Sequence, residues 1–195
     1  MKLKAMMTIC ILSVCVLLGC QTPPNSDLNP AIEEKIDTLL SKMTLEEKAG
    51  QMSQVSESGQ DGPADIENQI RKGTVGSFLN VFDLEKRNRL QTIAVEESRL
   101  GIPLIFGADV IHGYRTIFPV PLAEAASWNL DLMEKTASVA AAEARVSGID
   151  WTFSPMIDIA RDPRWGRIVE GAGEDAFLGS AIARAKVRGY QGKDL

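Results

Sequence analysis

Three strand-like runs separated by helix-length segments, the second and third each followed by a polar cluster, constrain this chain more than any other feature. Ile102-Pro-Leu-Ile-Phe106 is apolar without alternation, the pattern of a strand covered on both faces rather than one that meets water. Thr74-Val-Gly-Ser-Phe-Leu-Asn80 reads as a shorter buried strand, and Asp150-Trp-Thr-Phe-Ser-Pro-Met-Ile157 as a third strand region. Between them, Leu84 to Ser98 puts Leu84, Leu90, Ile93 and Ala94 broadly on one side of a helix. Ala123 to Val146 is alanine-rich and helical, with a break near Trp128-Asn129, where Asn129 can cap the longer second part. Upstream, Ile32, Ile36, Leu39, Leu40 and Met43 recur at helical spacing, and Thr44 with Glu47 makes a capping-box pattern that starts a second short helix. Gln54 to Pro63 is polar and reads as a loop, Ala64 to Lys72 as a helix ended by Gly73, and Glu174 to Gly189 as the last helix. Alternation of this kind means an α/β fold with a parallel sheet or barrel.

In parallel α/β architectures the carboxyl ends of neighbouring strands converge on one mouth. Two polar clusters are placed to reach it: Asp109 to Arg115 after the second run, and Asp158 to Glu170 after the third. The seven residues Arg161 to Arg167 contain three arginines, Asp162, Pro163, Trp165 and Gly166. Proline bars a central sheet position, so this is a shaped loop at a strand end. Carboxylates accept hydrogen bonds from hydroxyls, arginines donate to oxygens through planar forks, and tryptophan can stack on the apolar face of a sugar ring. The cluster therefore suits a polyhydroxylated ligand. The other reading is that Arg161, Asp162, Arg164 and Arg167 pair with nearby acids only to hold a long loop.

The first twenty residues read as a targeting segment. Lys2 and Lys4 form its positive start, Met6 to Leu18 its apolar stretch, and Leu17-Leu-Gly-Cys20 a lipobox with Cys20 as the lipidated residue. That apolar run is short for a membrane span. Gln21 to Pro30 is a polar tether, leaving 31–195 for the folded part. All three cysteines, Cys10, Cys15 and Cys20, lie in or at the end of the leader, which excludes a disulfide framework, a zinc site or a catalytic thiol. His112 is the single histidine, so a multi-histidine metal centre is excluded and a Ser-His triad disfavoured; no metal and no cofactor is expected. Without Lys2 and Lys4 the chain has 19 basic and 26 acidic residues, an acidic balance that argues against nucleic acid as a partner. What remains is shorter than the ~250 residues typical of a complete (β/α)₈ barrel.

The segments Gly101-Ile-Pro-Leu-Ile-Phe-Gly-Ala-Asp-Val-Ile-His-Gly-Tyr-Arg-Thr-Ile-Phe-Pro119, Phe153-Ser-Pro-Met-Ile-Asp-Ile-Ala-Arg-Asp-Pro-Arg-Trp-Gly-Arg167 and Met43-Thr-Leu-Glu-Glu-Lys-Ala-Gly-Gln-Met52 resemble glycoside hydrolase family 3, in its branch of bacterial periplasmic β-glucosidases. The resemblance runs from about Ile32 to Leu195. It implies the N-terminal portion of a (β/α)₈ TIM-type barrel with a sugar site at the strand ends. By the same resemblance Asp109 and Arg167 bind the non-reducing terminal sugar, with Arg115 a third candidate. It further implies that Arg161, Arg164 and Trp165 shape the loop, that Glu170 holds Arg167, and that His112 supports the site by packing. Retaining glycosidases need two carboxyl groups. The family's nucleophile lies in a later Ser-Asp-Trp-like segment, preceded by a Lys-His pair, and its acid/base comes later still; neither motif occurs in these 195 residues. The chain thus reads as truncated at Leu195, inactive and poorly folded alone, with no catalytic residue of its own. The expectation for the parent is a retaining β-glucosidase-like enzyme acting on terminal β-linked glucose of oligosaccharides or glucosides. Its place is the periplasm or outer membrane of a Gram-negative envelope, anchored by lipid at Cys20. The alternatives are a non-catalytic sugar-binding surface lipoprotein and a β-xylosidase of the same family. An amino-sugar hydrolase fits the Asp-Pro-Arg-Trp-Gly-Arg wording less well.

Overall fold

The computed structural model describes residues 29–56 and 63–192. The leader, the lipidation residue Cys20, and residues 21–28 of the tether lie outside the described residues. Two compact units are present, Met1–Met43 and Thr44–Leu195. The first contributes helix α1 (Pro30–Lys42), whose start is fixed by Asn29: its side chain accepts from the Ala31 N–H at 3.0 Å while Pro30 occupies the first turn.

In the second unit, α2 (Leu45–Gln51) begins with the capping box read from Thr44 and Glu47. Thr44 Oγ1 accepts from the Glu47 N–H at 3.2 Å, and a Glu47 carboxylate oxygen accepts from the Thr44 N–H at 2.8 Å. Arg99 donates to the same carboxylate from Nε at 3.0 Å and again from Nη2. The Arg99 hydrogen bond first, then that from the Thr44 backbone, hold the Glu47 carboxyl below the usual carboxylate range. A carboxyl depressed in the folded state contributes stability that is complete above its unfolded value of about 4.3 and is lost as pH falls through the lower folded value. Acid titration of the urea midpoint is accordingly expected to show a smaller fall for Glu47→Gln than for the wild-type chain. Equal falls would show that this cap carries no acid sensitivity.

Four parallel strands follow in the order β1-β2-β3-β4: β1 (Gln54–Ser56), β2 (Ser77–Leu79), β3 (Ile105–Ala108) and β4 (Trp151–Thr152). The register pairs Val55 with Phe78, Phe78 with Phe106, and Gly107 with Trp151. Helix α3 (Pro63–Arg71) connects β1 to β2, and α4 (Leu84–Thr92), capped by Asp83, connects β2 to β3 and ends in a π turn at Ile93–Glu97. Helices α5 (Pro121–Ala125) and α6 (Leu130–Val146) lie between β3 and β4, with Asn129 capping α6 through Leu132 N–H at 3.0 Å. The last helix, α7 (Ala176–Gln191), is capped by Asp175. The break expected near Trp128 is present, with Trp128 itself at φ 54°.

Alternate strand residues face the helices, as the pleat requires. Phe78 and Phe106 stack with ring centroids 5.9 Å apart in a cluster with Ile70, Val75, Val81, Leu90 and Ile93. Each such side chain contributes roughly 1.5–3 kcal/mol through burial. A second cluster, Ala108, Val110, Ala140, Ala144 and Ile149, seats α6 on β3 through small residues, and Ala125, Met133 and Ile182 join α5, α6 and α7. On the opposite face a Cβ at Gly107 would stand 3.2 Å from the Phe153 ring and 3.6 Å from Gln54 Nε2, so glycine there leaves room for side chains from β1, two strands away, and from the residue after β4.

Four strand readings shift, the simplest being the run read as 74–80, which forms its ladder only at Ser77–Leu79. The segment 54–63, read as loop, contains β1: Gln54-Val-Ser56 has no apolar run, and its ladder with Ser77–Leu79 is what makes it a strand. The run read as 102–106 pairs only from Ile105, because Pro103 has no N–H for a ladder. The Gln91 amide takes the place of a neighbouring strand at Leu104, accepting from its N–H at 2.7 Å and donating to its carbonyl at 3.1 Å. The region 150–157 forms a ladder only at Trp151–Thr152, and Pro155 further on can donate nothing to one.

Candidate functional site

Asp109 is the first residue past β3 and is exposed at the carboxyl end of the sheet. Continuing the β3–β4 register by one step sets it beside Phe153, whose ring lies 4.6 Å from that of Trp151. At the end of β2, Asn80 turns into the left-handed region at φ 59°, and its N–H donates to Gly107 O at 2.9 Å. Its Oδ1 is buried without a hydrogen-bond partner among the described residues. The strand ends thus gather polar groups where the chain leaves the sheet.

The arginine segment is a closed loop. Ala160 N–H donates to Gly173 O at 3.0 Å across its base, and Trp165 N–H to Asp162 O at 3.0 Å inside it. Asp162 accepts from the Arg164 N–H at 2.9 Å and from its guanidinium at 2.6–3.2 Å, and those bonds hold its carboxyl below the usual range. Arg164 is 89% exposed, so this pair shapes the turn and adds little stability. Arg167 donates to Glu170 from Nε at 3.2 Å and from Nη2 at 2.6 Å. The Glu170 hydrogen bond, then its charge, raise the Arg167 pKa, and the charges of Asp158 and Asp109 push the same way. Asp109, Asp158, Arg167 and Glu170 therefore share one electrostatic neighbourhood. Among the described residues Arg167 Nη1 has no acceptor, so it is free to donate to a ligand oxygen.

Arg115 is placed differently. The turn at 111–118 is tied by Phe118 N–H to His112 O at 2.8 Å, and His112 Nδ1 meets Phe118 O at 3.0 Å. A carbonyl only accepts, so Nδ1 carries the proton and the half-buried ring is a brace of the turn. The backbone N–H groups of Arg115 and Thr116 both donate to Glu143 of α6, and the Arg115 charge acts on that carboxylate. The geometry brings Asp109 and Arg167 into one field and sets Arg115 with Glu143. Neither Glu143 nor Tyr190, whose hydroxyl donates to Val110 O, carries a local signal in the sequence; only the packing of α6 and α7 on the strand ends reveals them. A depression lined by Ile111, Pro155, Asp158, Glu170 and Lys186 lies under this region. A larger hollow of about 420 Å³, lined by Val110, Arg145, Trp151 and Tyr190, lies along β4, and neither Asp109 nor Arg167 lines it.

A parallel sheet wrapped by helices, with carboxylates and a guanidinium at the carboxyl ends of its strands, defines an α/β unit of the TIM-barrel type. Residues 44–195 match the glycosyl hydrolase family 3 N terminal domain, and the chain belongs to that family. It is 40% identical over 193 residues to the periplasmic β-glucosidase of Salmonella typhimurium, covering 95% of this chain and 25% of that protein. A β-xylosidase of Formosa agariphila is 32% identical over 184 residues, 89% of this chain and 20% of that one. Among solved structures, the β-glucosidase of Listeria innocua in complex with isofagomine matches with TM-score 0.72 and 43% identity, over 82% of this chain and 23% of that chain. The chain spans about a quarter of the length of these relatives.

Proposed function

We propose that residues 44–195 form the sugar-binding side of a β-glucosidase-like retaining glycoside hydrolase that acts on terminal β-linked glucose of oligosaccharides or glucosides. The observation that carries this reading is the position of Asp109 at the carboxyl end of β3 together with Arg167, held by Glu170 in the loop after β4 and within reach of the charges of Asp109 and Asp158. Asp109 is exposed and accepts hydrogen bonds from hydroxyls of the terminal sugar; Arg167, steadied by Glu170, donates to its oxygens, with Arg115 at the rim. The nucleophile and acid/base belong to segments that residues 1–195 do not contain, so the role of these residues is to bind and orient the sugar. Anchoring by lipid at Cys20, in the periplasm or at the outer membrane, completes the proposal, and the periplasmic relative supports that placement. The 31–195 folded part, the 21–30 tether and the 1–20 leader are the division it rests on.

Titration of the chain with D-glucose, followed by calorimetry or NMR, tests it. Asp109→Ala is expected to weaken binding by about tenfold or more, since a hydrogen bond to a charged group contributes roughly 1.5–3 kcal/mol. An unchanged affinity would remove Asp109 from the site. The β-xylosidase relative supports a second reading, in which the terminal sugar is xylose. Xylose binding more tightly than glucose in the same titration would favour it.

A further inference from the structure

Glu143 lies in the second half of α6, half-buried, and both of its carboxylate oxygens are directed at the turn after β3. One oxygen accepts from the successive backbone N–H groups of Arg115 and Thr116, each at 2.8 Å, and the other from the Thr116 hydroxyl at 2.6 Å. Two adjacent N–H groups converging on one anion form a nest, a geometry that holds a charge firmly. Apart from the His112–Phe118 contacts at its base, the tip of the turn has little else to hold it among the described residues. Ile117 is 68% exposed, and Arg115 and Thr116 are exposed. Gly113 sits at φ 121° where a Cβ would fall 1.9 Å from Thr116 O, so the turn is folded tightly on itself rather than against a core. Its near end is fixed by β3 and by the Tyr190 hydroxyl on Val110 O, and Tyr114 packs on the Ala108–Ile149 cluster. Among the described residues, the far end meets a carboxylate only at Glu143.

We infer that Glu143 is a positioning residue, which fixes the 111–118 turn so that Arg115 and the His112 brace stand in one place relative to Asp109. The inference rests on the sugar-site reading above. Glu143 touches no sugar. It acts through the turn, so its removal loosens the rim of the site while leaving Asp109 and Arg167 in place.

The Arg115–Thr116 peptide bond lies at the clamp and is a trypsin site, so the rate of cleavage there reports opening of the turn. Glu143→Ala is expected to speed cleavage after Arg115 by about tenfold, the loss of charge-assisted hydrogen bonds, and to weaken D-glucose binding severalfold. Thr116→Val, which removes only the hydroxyl donor and leaves α6 untouched, is expected to shift both readouts the same way by less. It keeps the inference testable if the alanine variant does not fold. Cleavage after Arg115 that is unchanged in both variants would overturn the clamp, whatever the sugar does. Faster cleavage with unaltered glucose affinity would overturn the positioning role and leave a purely structural one. A wild-type chain that binds no glucose would overturn the sugar-site reading and the positioning role with it, while the cleavage rates would still decide the clamp.

Discussion

Gly189→Ala is expected to destabilise the second unit by about 2 kcal/mol or more, against the direction that helix propensity sets. Gly189 is a buried residue inside α7, where alanine gains about 1 kcal/mol over glycine from propensity alone. Here the new Cβ would stand 2.3 Å from Glu134 O and 2.7 Å from Ala137 Cβ on α6. The first of these is backbone and cannot rotate away, so the helices must part. Overpacking of this kind costs typically 1–3 kcal/mol and occasionally more, and it acts on the contact that holds α7 to α6. The urea midpoint is therefore expected to fall. A midpoint that held or rose would mean that the α6–α7 approach at Gly189 is looser than described.

The second large effect concerns a buried ion pair. Lys186 of α7 reaches Glu124 of α5, and their side chains are only 4% and 6% exposed. Thr136 of α6 donates its hydroxyl to the other carboxylate oxygen at 2.8 Å, so one carboxylate ties three helices together. Lys186→Met would leave the Glu124 charge buried with a single hydroxyl as partner, at an expected cost of about 3–5 kcal/mol. Removing both charges is different: Glu124→Leu with Lys186→Met is expected to recover most of that loss, because neither charge then has to be desolvated. Thr136 could then turn its hydroxyl to donate to Met133 O, 3.1 Å away. Chemical denaturation of the single and double variants gives the coupling directly. A single variant as stable as the wild type, or a double variant no better than the single, would contradict the pairing.

Much of the architecture follows from local chemistry. The capping box at Thr44, the cap at Asn129 and the break beside Trp128 satisfy orphan N–H groups within three residues of chain, so they are visible in the amino-acid order. The pairing of Arg167 with Glu170 is equally local, one helical turn apart, and was legible as a support for the arginine. Strand limits were less so. Phe106 at the end of an apolar run announced a strand, but where its ladder begins depended on Pro103 and on Gln91, thirteen residues before Leu104. The three residues of β1, Gln54-Val-Ser56, had no announcement at all, since a three-residue strand is defined by its partner and not by its composition.

The sequence by itself determined the alternation of strands and helices, the helix starts, and the two polar clusters that follow apolar runs, because these depend on side-chain periodicity and on hydrogen bonds between near neighbours. Only the tertiary structure decided that Arg167 lies within reach of the charge of Asp109, 58 positions away. It likewise decided that Arg115 stands with Glu143 and that Lys186 is neutralised by Glu124 under three packed helices. Such pairings depend on distances through space, which sheet register and helix packing set and no local pattern encodes.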